Sequence, residues 1–190
     1  MIKILNDKNL KKELNSLFKF LNSLGIKNQD EILRKILDSE DHAKNKKILV
    51  MISNSDLNLS EVFLLEKEKF DLIENNFKDY KILSLGLKIG SLKNNFKNFI
   101  PSQRFLDLIL RKTDFKLNYL IVNEKSEWLF ICKRDIFKNG ILNKNHVLGD
   151  KFLVLNSKRE CIGIAGLKNK DSIIKNIFDI GDFLRREKFL

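Results

Sequence analysis

The sequence predicts an α+β protein in two domains. Residues 1–114 read as a mainly antiparallel sheet with helices packed on it, and residues 117–190 as a small β-barrel with a short helix. Three observations lead there. Helical hydrophobic periods open the chain. Short apolar runs bounded by polar turns replace them after about Lys116. Five of the eight glycines lie between Gly140 and Gly181, the punctuation of a small, strongly bent barrel.

Leu10, Leu14, Leu17, Phe18, Leu21 and Leu24 share one helical face and predict a helix from about Asp7 to Leu24. Asp7 suits its N-cap region and Gly25 its C′ position. Asn28 caps a second helix with Ile32, Leu33, Ile36 and Leu37 as its apolar side. Ser39 to Lys47 is a charged loop, and the carboxylates Asp38, Glu40 and Asp41 beside His42 read as solvated surface. Ile48–Ile52 is an unbroken apolar run short enough for a buried strand; Ser53–Asp56 turns the chain into a second strand at Glu61–Leu65. Phe70, Ile73 and Phe77 mark a third helix. From Lys81 to Gly90, Leu83, Leu85, Leu87 and Ile89 alternate with Ser84, Gly86, Lys88 and Gly90, the period of a half-buried strand. Leu92–Phe99 reads as a basic connection. Ser102, beside the only proline, caps an amphipathic helix of Phe105, Leu106, Ile109 and Leu110. Arg111 and Lys112 close it, where cations complement the helix dipole. The change of pattern sets a domain boundary near Lys112–Lys116.

Beyond it, Tyr119–Val122 is a strand and Asn123–Glu127 a polar turn. Trp128–Cys132 is an apolar run in which Trp128 reads as core. Lys138–Gly140 turns the chain again. Gly149-Asp150 leads into a strand at Lys151–Leu155, Asn156–Glu160 is a polar turn, and Cys161–Ala165 returns. Gly163 inside that strand marks a bulge or a close approach. Lys168–Asp171 is a basic loop, Ile173, Ile174, Ile177 and Phe178 rebuild a strand, and Asp179–Glu187 reads as a final helix.

The net charge of +11 is unevenly placed. Residues 1–80 carry 14 cations and 14 anions, residues 81–116 carry 8 against 2, and residues 117–190 carry 14 against 9. A basic half beside a neutral half points to a polyanion on one face. No run of 18 apolar residues is present, so no spanning helix and no membrane association are expected. Ile2, Ile4 and Leu5 around Lys3 are too short a core for a signal peptide. Cys132 and Cys161 have no Cys-x-x-Cys and no histidine at ligand spacing, and read as buried reduced thiols rather than a zinc site. A cytoplasmic protein follows. There is no Gly-x-Gly-x-x-Gly, no Walker loop and no Gly-x-Ser-x-Gly, so neither a cofactor nor an enzyme is expected.

Val122–Phe130, Arg134–Phe137, Gly149-Asp150, Val154–Asn156, Gly163–Ala165 and Asp179–Arg185 together resemble a PUA domain. This is the RNA-binding module named after pseudouridine synthases and archaeosine transglycosylases. With Glu61–Leu64, Ser84–Gly86, Gly90 and the Pro101-Ser102 helix, residues 46–190 resemble the Nip-seven family of large-ribosomal-subunit biogenesis factors, in an archaeal version. That family commonly has Tyr-Gly-Arg-Asp where this chain has Cys132-Lys133-Arg134-Asp135, so Lys133 stands where a glycine is usual. The resemblance implies binding without catalysis. The partners it implies are single-stranded, A/U-rich rRNA or pre-rRNA on the C-terminal domain and other assembly proteins on the N-terminal one. The alternative is an RNA-modifying enzyme or enzyme subunit that carries a PUA domain. It needs a synthase aspartate motif or a Gly-rich cofactor loop, and residues 1–116 offer neither.

Phosphate contacts need exposed Lys or Arg near adaptable backbone. Lys168 and Lys170 in the basic loop, with Lys175 on the adjoining strand, are the first candidates. Lys133 and Arg134 come second. Lys158 and Arg159 lie in the hairpin turn, where charges are often only solvated. Arg185 and Arg186 either bind phosphate or pair with Asp182 and Glu187. Trp128 and Phe137 are the aromatics open to base stacking.

Overall fold

The computed structural model describes residues 2–5, 13–38, 46–54, 58–77, 80, 82–94, 96–167 and 173–182. The chain divides into two compact units, one of Met1–Phe20 with Asn28–Lys112, the other of Leu21–Lys27 with Thr113–Leu190.

The first unit is built on an antiparallel five-stranded sheet in simple sequential order: β1 (Ile2–Leu5), β2 (Lys47–Asn54), β3 (Leu59–Glu66), β4 (Leu87–Lys93) and β5 (Asn98–Pro101). Helix α1 (Asn15–Ser23) begins in this unit, and α2 (Gln29–Leu37), α3 (Lys67–Asn76) and α4 (Gln103–Lys112) belong to it. Val50, Phe63 and Leu65 pack with Phe70 of α3 into one cluster. α2 lies against β2 and α4, and α4 against β4. Leu49, Val50 and Met51 are therefore all buried, which explains the unbroken apolar run of β2: successive side chains point to opposite faces, and both faces are covered. The cap of α4 is as read, with the Phe105 N–H donating to Ser102 Oγ at 3.1 Å.

Two readings of this unit change. The alternation from Lys81 is not one strand. β4 starts at Leu87, and Leu83 and Ser84 are exposed outside it. Gly86 stands in between at φ +55, where a Cβ would lie 2.5 Å from the Leu64 carbonyl oxygen. The glycine thus ends the irregular run and admits β3 rather than thinning a strand face. Leu92–Phe99 is not a mere connection. β4 runs on to Lys93 and folds back as β5, with Asn94 and Phe96 at φ +54 and +66. β1 had no signature in the sequence beyond three apolar residues, and pairs with β2 from Ile2↔Ile52 to Leu5↔Leu49. The expected start of the first helix near Asp7 and the His42 loop lie outside the described residues.

The second unit is a six-stranded sheet in the order β7-β11-β10-β9-β6-β8. The strands are β6 (Tyr119–Val122), β7 (Ile136–Phe137), β8 (Ile141–Asn145), β9 (Lys151–Leu155), β10 (Cys161–Leu167) and β11 (Ile173–Asp179). β6 and β9 pair in parallel and the rest antiparallel. The edge strands β7 and β8 are joined only by the 3₁₀ turn Lys138–Gly140. Flat, the sheet would hold its edges about 24 Å apart. Four Cα steps reach at most about 15 Å. The sheet must curl until its edges nearly meet, and it does so around Leu120, Val122, Phe130, Ile136, Phe152, Val154, Ile162 and Ile174. Gly163 sits at a register shift between β9 and β10, where a Cβ would fall 2.1 Å from the Phe178 carbonyl oxygen. The strand interruption is both a bulge and a close approach.

Asn118 organises one end of this barrel. Its side-chain amide donates to the Leu148 and Lys151 carbonyls at 2.6 and 3.0 Å. Its Oδ1 accepts from the Val147 and Leu148 N–H groups at 2.7 and 3.3 Å. Its backbone N–H reaches the Leu24 carbonyl at 2.8 Å, so residues 21–27 are part of this unit.

Asn123–Glu127 is not a turn but the start of helix α5 (Glu124–Ile131). Asn123 Oδ1 accepts from the Ser126 N–H at 2.9 Å, and Glu124 and Glu127 place negative charge at the helix N-terminus. The helix sends Phe130 into the core and leaves Trp128 67% exposed, so Trp128 is a surface residue. Cys132, just past its end, is exposed, while Cys161 is buried as expected.

Candidate nucleic-acid interface

The N-terminal turn of α5, β7 and the turn after it enclose an open groove of about 530 Å³. Lys125, Ser126 and Leu129 of α5 line one side, and Asp135, Phe137, Lys138 and Asn139 the other. The groove is narrow at Gly140, whose Cα faces Ser126: a Cβ there would lie 1.8 Å from Ser126 Oγ. Phe137 is 54% exposed and offers an open ring. The two cations of the groove, Lys125 and Lys138, are exposed. Asp135 also lines the groove, and its Oδ1 accepts the Asn176 N–H at 2.9 Å, which ties β11 to the residue before β7.

β11 extends the groove sideways. Ile173 pairs with Phe137, and Lys175 follows on the same outward face, about 7 Å along the strand. Lys175 pairs across the sheet with Gly166, which in turn pairs with Lys151. The result is a strip with an aromatic ring, several cations and a side-chain-free glycine, the ingredients of single-strand binding: stacking for bases and ammonium groups for phosphates.

The structure brings some of the sequence candidates here and separates others. Lys175 is on the strip. Lys168, Lys170, Arg185 and Arg186 lie outside the described residues. Lys133 adopts φ +67, the left-handed conformation that glycine takes without cost. Its Nζ donates to Asn176 Oδ1 at 3.2 Å and to the Ile177 carbonyl at 3.1 Å, and stands 3.5 Å from Asp179 Oδ2. That ammonium is engaged with β11. Arg134 is exposed beside it. Lys158 and Arg159 are exposed at the opposite end of the β9–β10 hairpin from Leu167, and the Arg159 guanidinium lies 5.9 Å from the Phe115 ring centre. Lys125 and Lys138 were not singled out in the sequence. For Lys125 the available signal was a cap-type Asn123 followed by Glu124 and Glu127, since acids in a first turn suit a helix start better than a loop.

Among the described residues, no three His, Cys, Asp or Glu side chains converge to hold a metal ion, and no helix is long and apolar enough to cross a membrane.

Residues 118–188 match the family described as UPF0113 PUA domain. Three solved structures share the fold. A hypothetical protein from the hyperthermophilic archaeon Pyrococcus horikoshii is 15% identical with a TM-score of 0.53, over 98% of this chain and 99% of that one. A conserved PUA domain protein from Thermoplasma acidophilum is 15% identical with a TM-score of 0.51, again over 98% and 99%. A PUA domain from Aeropyrum pernix is 12% identical with a TM-score of 0.54, over 97% of this chain and 88% of that one. No curated protein matches the sequence. The curled second unit is thus a PUA domain, and the fold of these neighbours covers nearly the whole chain.

Proposed function

We propose that this protein is a non-catalytic RNA-binding factor that assists rRNA maturation and assembly of the large ribosomal subunit. The observation that carries the RNA part is the open Phe137 ring set among Lys125, Lys138 and Lys175 on a PUA domain, a module that generally binds RNA. Single-stranded RNA lies across this strip with a base on Phe137 and its phosphates on the lysines. A duplex would hide the base faces that an exposed ring can use. The ribosomal part is supported by the resemblance of residues 46–190 to the Nip-seven family. In this reading the neutral N-terminal half contacts other assembly proteins.

The test is fluorescence anisotropy with a uridine- and adenosine-rich single strand at two salt concentrations. Wild type is compared with Phe137→Ala/Lys138→Ala/Lys175→Ala. Salt-dependent binding that the variant loses supports the reading. Absence of wild-type binding in low salt overturns it. For the ribosomal role, the tagged protein is followed on a sucrose gradient of cell extract. Co-sedimentation with large-subunit precursors is expected, and a profile confined to the top of the gradient argues against it.

A further inference from the structure

The β4–β5 hairpin of the first unit combines three features that its fold does not require. The first is charge. Lys3, Lys35, Lys67, Lys69 and Lys88 of this unit each form an ion pair with a carboxylate, whereas the exposed Lys19, Arg34, Lys46, Arg104 and Arg111 form none among the described residues. Lys93 and Lys97, at the two ends of the hairpin turn, are exposed, and no ion pair joins either to a carboxylate among the described residues. Two cations of the basic excess of residues 81–116 thus stand without an ion pair at this turn. The second is an aromatic side chain partly open to solvent: Phe96, between the two lysines, is 37% exposed. The third is backbone strain. Phe96 is at φ +66, a conformation unfavourable for a bulky residue, where glycine would serve the turn better. Asn94 and Asn98 flank it and add amide donors and acceptors.

We propose that this hairpin is a second contact for single-stranded RNA, with Phe96 as a stacking platform and Lys93 and Lys97 as phosphate contacts. The inference rests on RNA being the ligand of this protein, and adds a site on the unit that lacks the PUA fold. An aromatic ring with paired amides favours a nucleic acid over an acidic peptide, since bases offer faces to stack on and edges to bond.

The test uses the full chain and a labelled uridine oligomer of about 15 nucleotides. Wild type is compared with a hairpin variant, Lys93→Gln/Phe96→Gly/Lys97→Gln, and a barrel variant, Phe137→Ala/Lys138→Gln/Lys175→Gln. Glycine at 96 suits the observed φ, which offsets part of the burial lost with the ring, so the hairpin variant should still fold cooperatively. The expected result is an affinity loss of about tenfold or more in the hairpin variant, the size of one lost base stack. Its log–log salt slope should be shallower by about 1.4. A hairpin variant that binds as wild type does overturns the inference while leaving the barrel reading standing. A loss in the hairpin variant alone, with the barrel variant unaffected, supports the hairpin and overturns the barrel site. Absence of wild-type binding overturns both. Should the variant fail to fold, photo-crosslinking of wild type to a 4-thiouridine oligomer decides: an adduct on the Phe96 peptide supports the site, and adducts restricted to residues 113–190 overturn it.

Discussion

Lys133 Nζ lies 3.5 Å from Asp179 Oδ2, and the Asp179 side chain has no exposed surface. A lysine in a left-handed conformation thus reaches from the end of α5 to β11 and meets a buried carboxylate. Two effects oppose each other at this residue. The backbone costs about 1 kcal/mol relative to glycine, and the side chain stabilises Asp179. Lys133→Gly relieves the first and loses the second; Lys133→Met loses the second alone. Lys133→Gly should therefore be the more stable by about 1 kcal/mol, measured by urea denaturation. A larger stability for Lys133→Met would mean that the left-handed backbone carries no strain. Both should keep RNA affinity within about twofold of wild type, since the ammonium is already engaged.

The side chain of Asn118 satisfies two backbone carbonyls and two N–H groups at once. Asn118→Ala should cost about 3 kcal/mol or more, because buried polar groups lose partners that water cannot replace. Asn118→Asp keeps the acceptor but turns a carboxylate toward the Leu148 and Lys151 carbonyls. Its protonated form can donate to one of them, so this variant should lose stability as pH rises through about 4 and beyond. Thermal melts of the variant at several pH values check the sign, and a melting point independent of pH would contradict it.

At Gly163 a methyl group would meet the Phe178 carbonyl oxygen at 2.1 Å, well inside contact distance. Gly163→Ala should destabilise by about 3 kcal/mol. Gly166→Ala is milder, because the nearest atom there is the end of the Ile177 side chain at 2.8 Å, which can turn aside. Side-by-side denaturation curves should show that order.

Phe137→Ala should weaken RNA binding by about 1–3 kcal/mol, the range for a lost base stack, with little change in melting temperature because the ring is largely exposed. If about six phosphates are neutralised in all, the log–log salt slope is near −4 for a single strand. Trp128, the only tryptophan, is exposed on α5 one helical step from Lys125, so its emission should respond when RNA occupies the groove. Emission unchanged at saturating RNA would move the bound strand off this helix.

What was legible in the sequence follows from how much periodicity each element needs. α4 announced itself by a capping serine and four apolar residues on one face, all buried in the fold. β2, β9 and β11 were readable as short apolar runs. α5 was not, since eight residues with one fully buried side chain carry no amphipathic period. Its exposed Trp128 beside the half-buried Leu129 made the run look like core. The β4–β5 turn was hidden because non-glycine residues, Asn94 and Phe96, take the left-handed positions that glycine would have flagged. The same masking applies at Lys133. Of the candidate site, Lys175 could be chosen from its place beside a basic loop. Lys125 and Lys138 could not, because only the curl of the sheet brings α5 beside the turn after β7.

The hydrogen bond from the Asn118 N–H to the Leu24 carbonyl means that the barrel is assembled from two stretches of chain separated by about ninety residues. During synthesis the Leu24 segment leaves the ribosome long before its partner exists, and the barrel end closes only when residues 118–151 arrive. A fragment beginning at Thr113 would lack this acceptor. A peptide spanning residues 21–27, supplied in trans, should raise its melting temperature, as a missing segment does in fragment complementation.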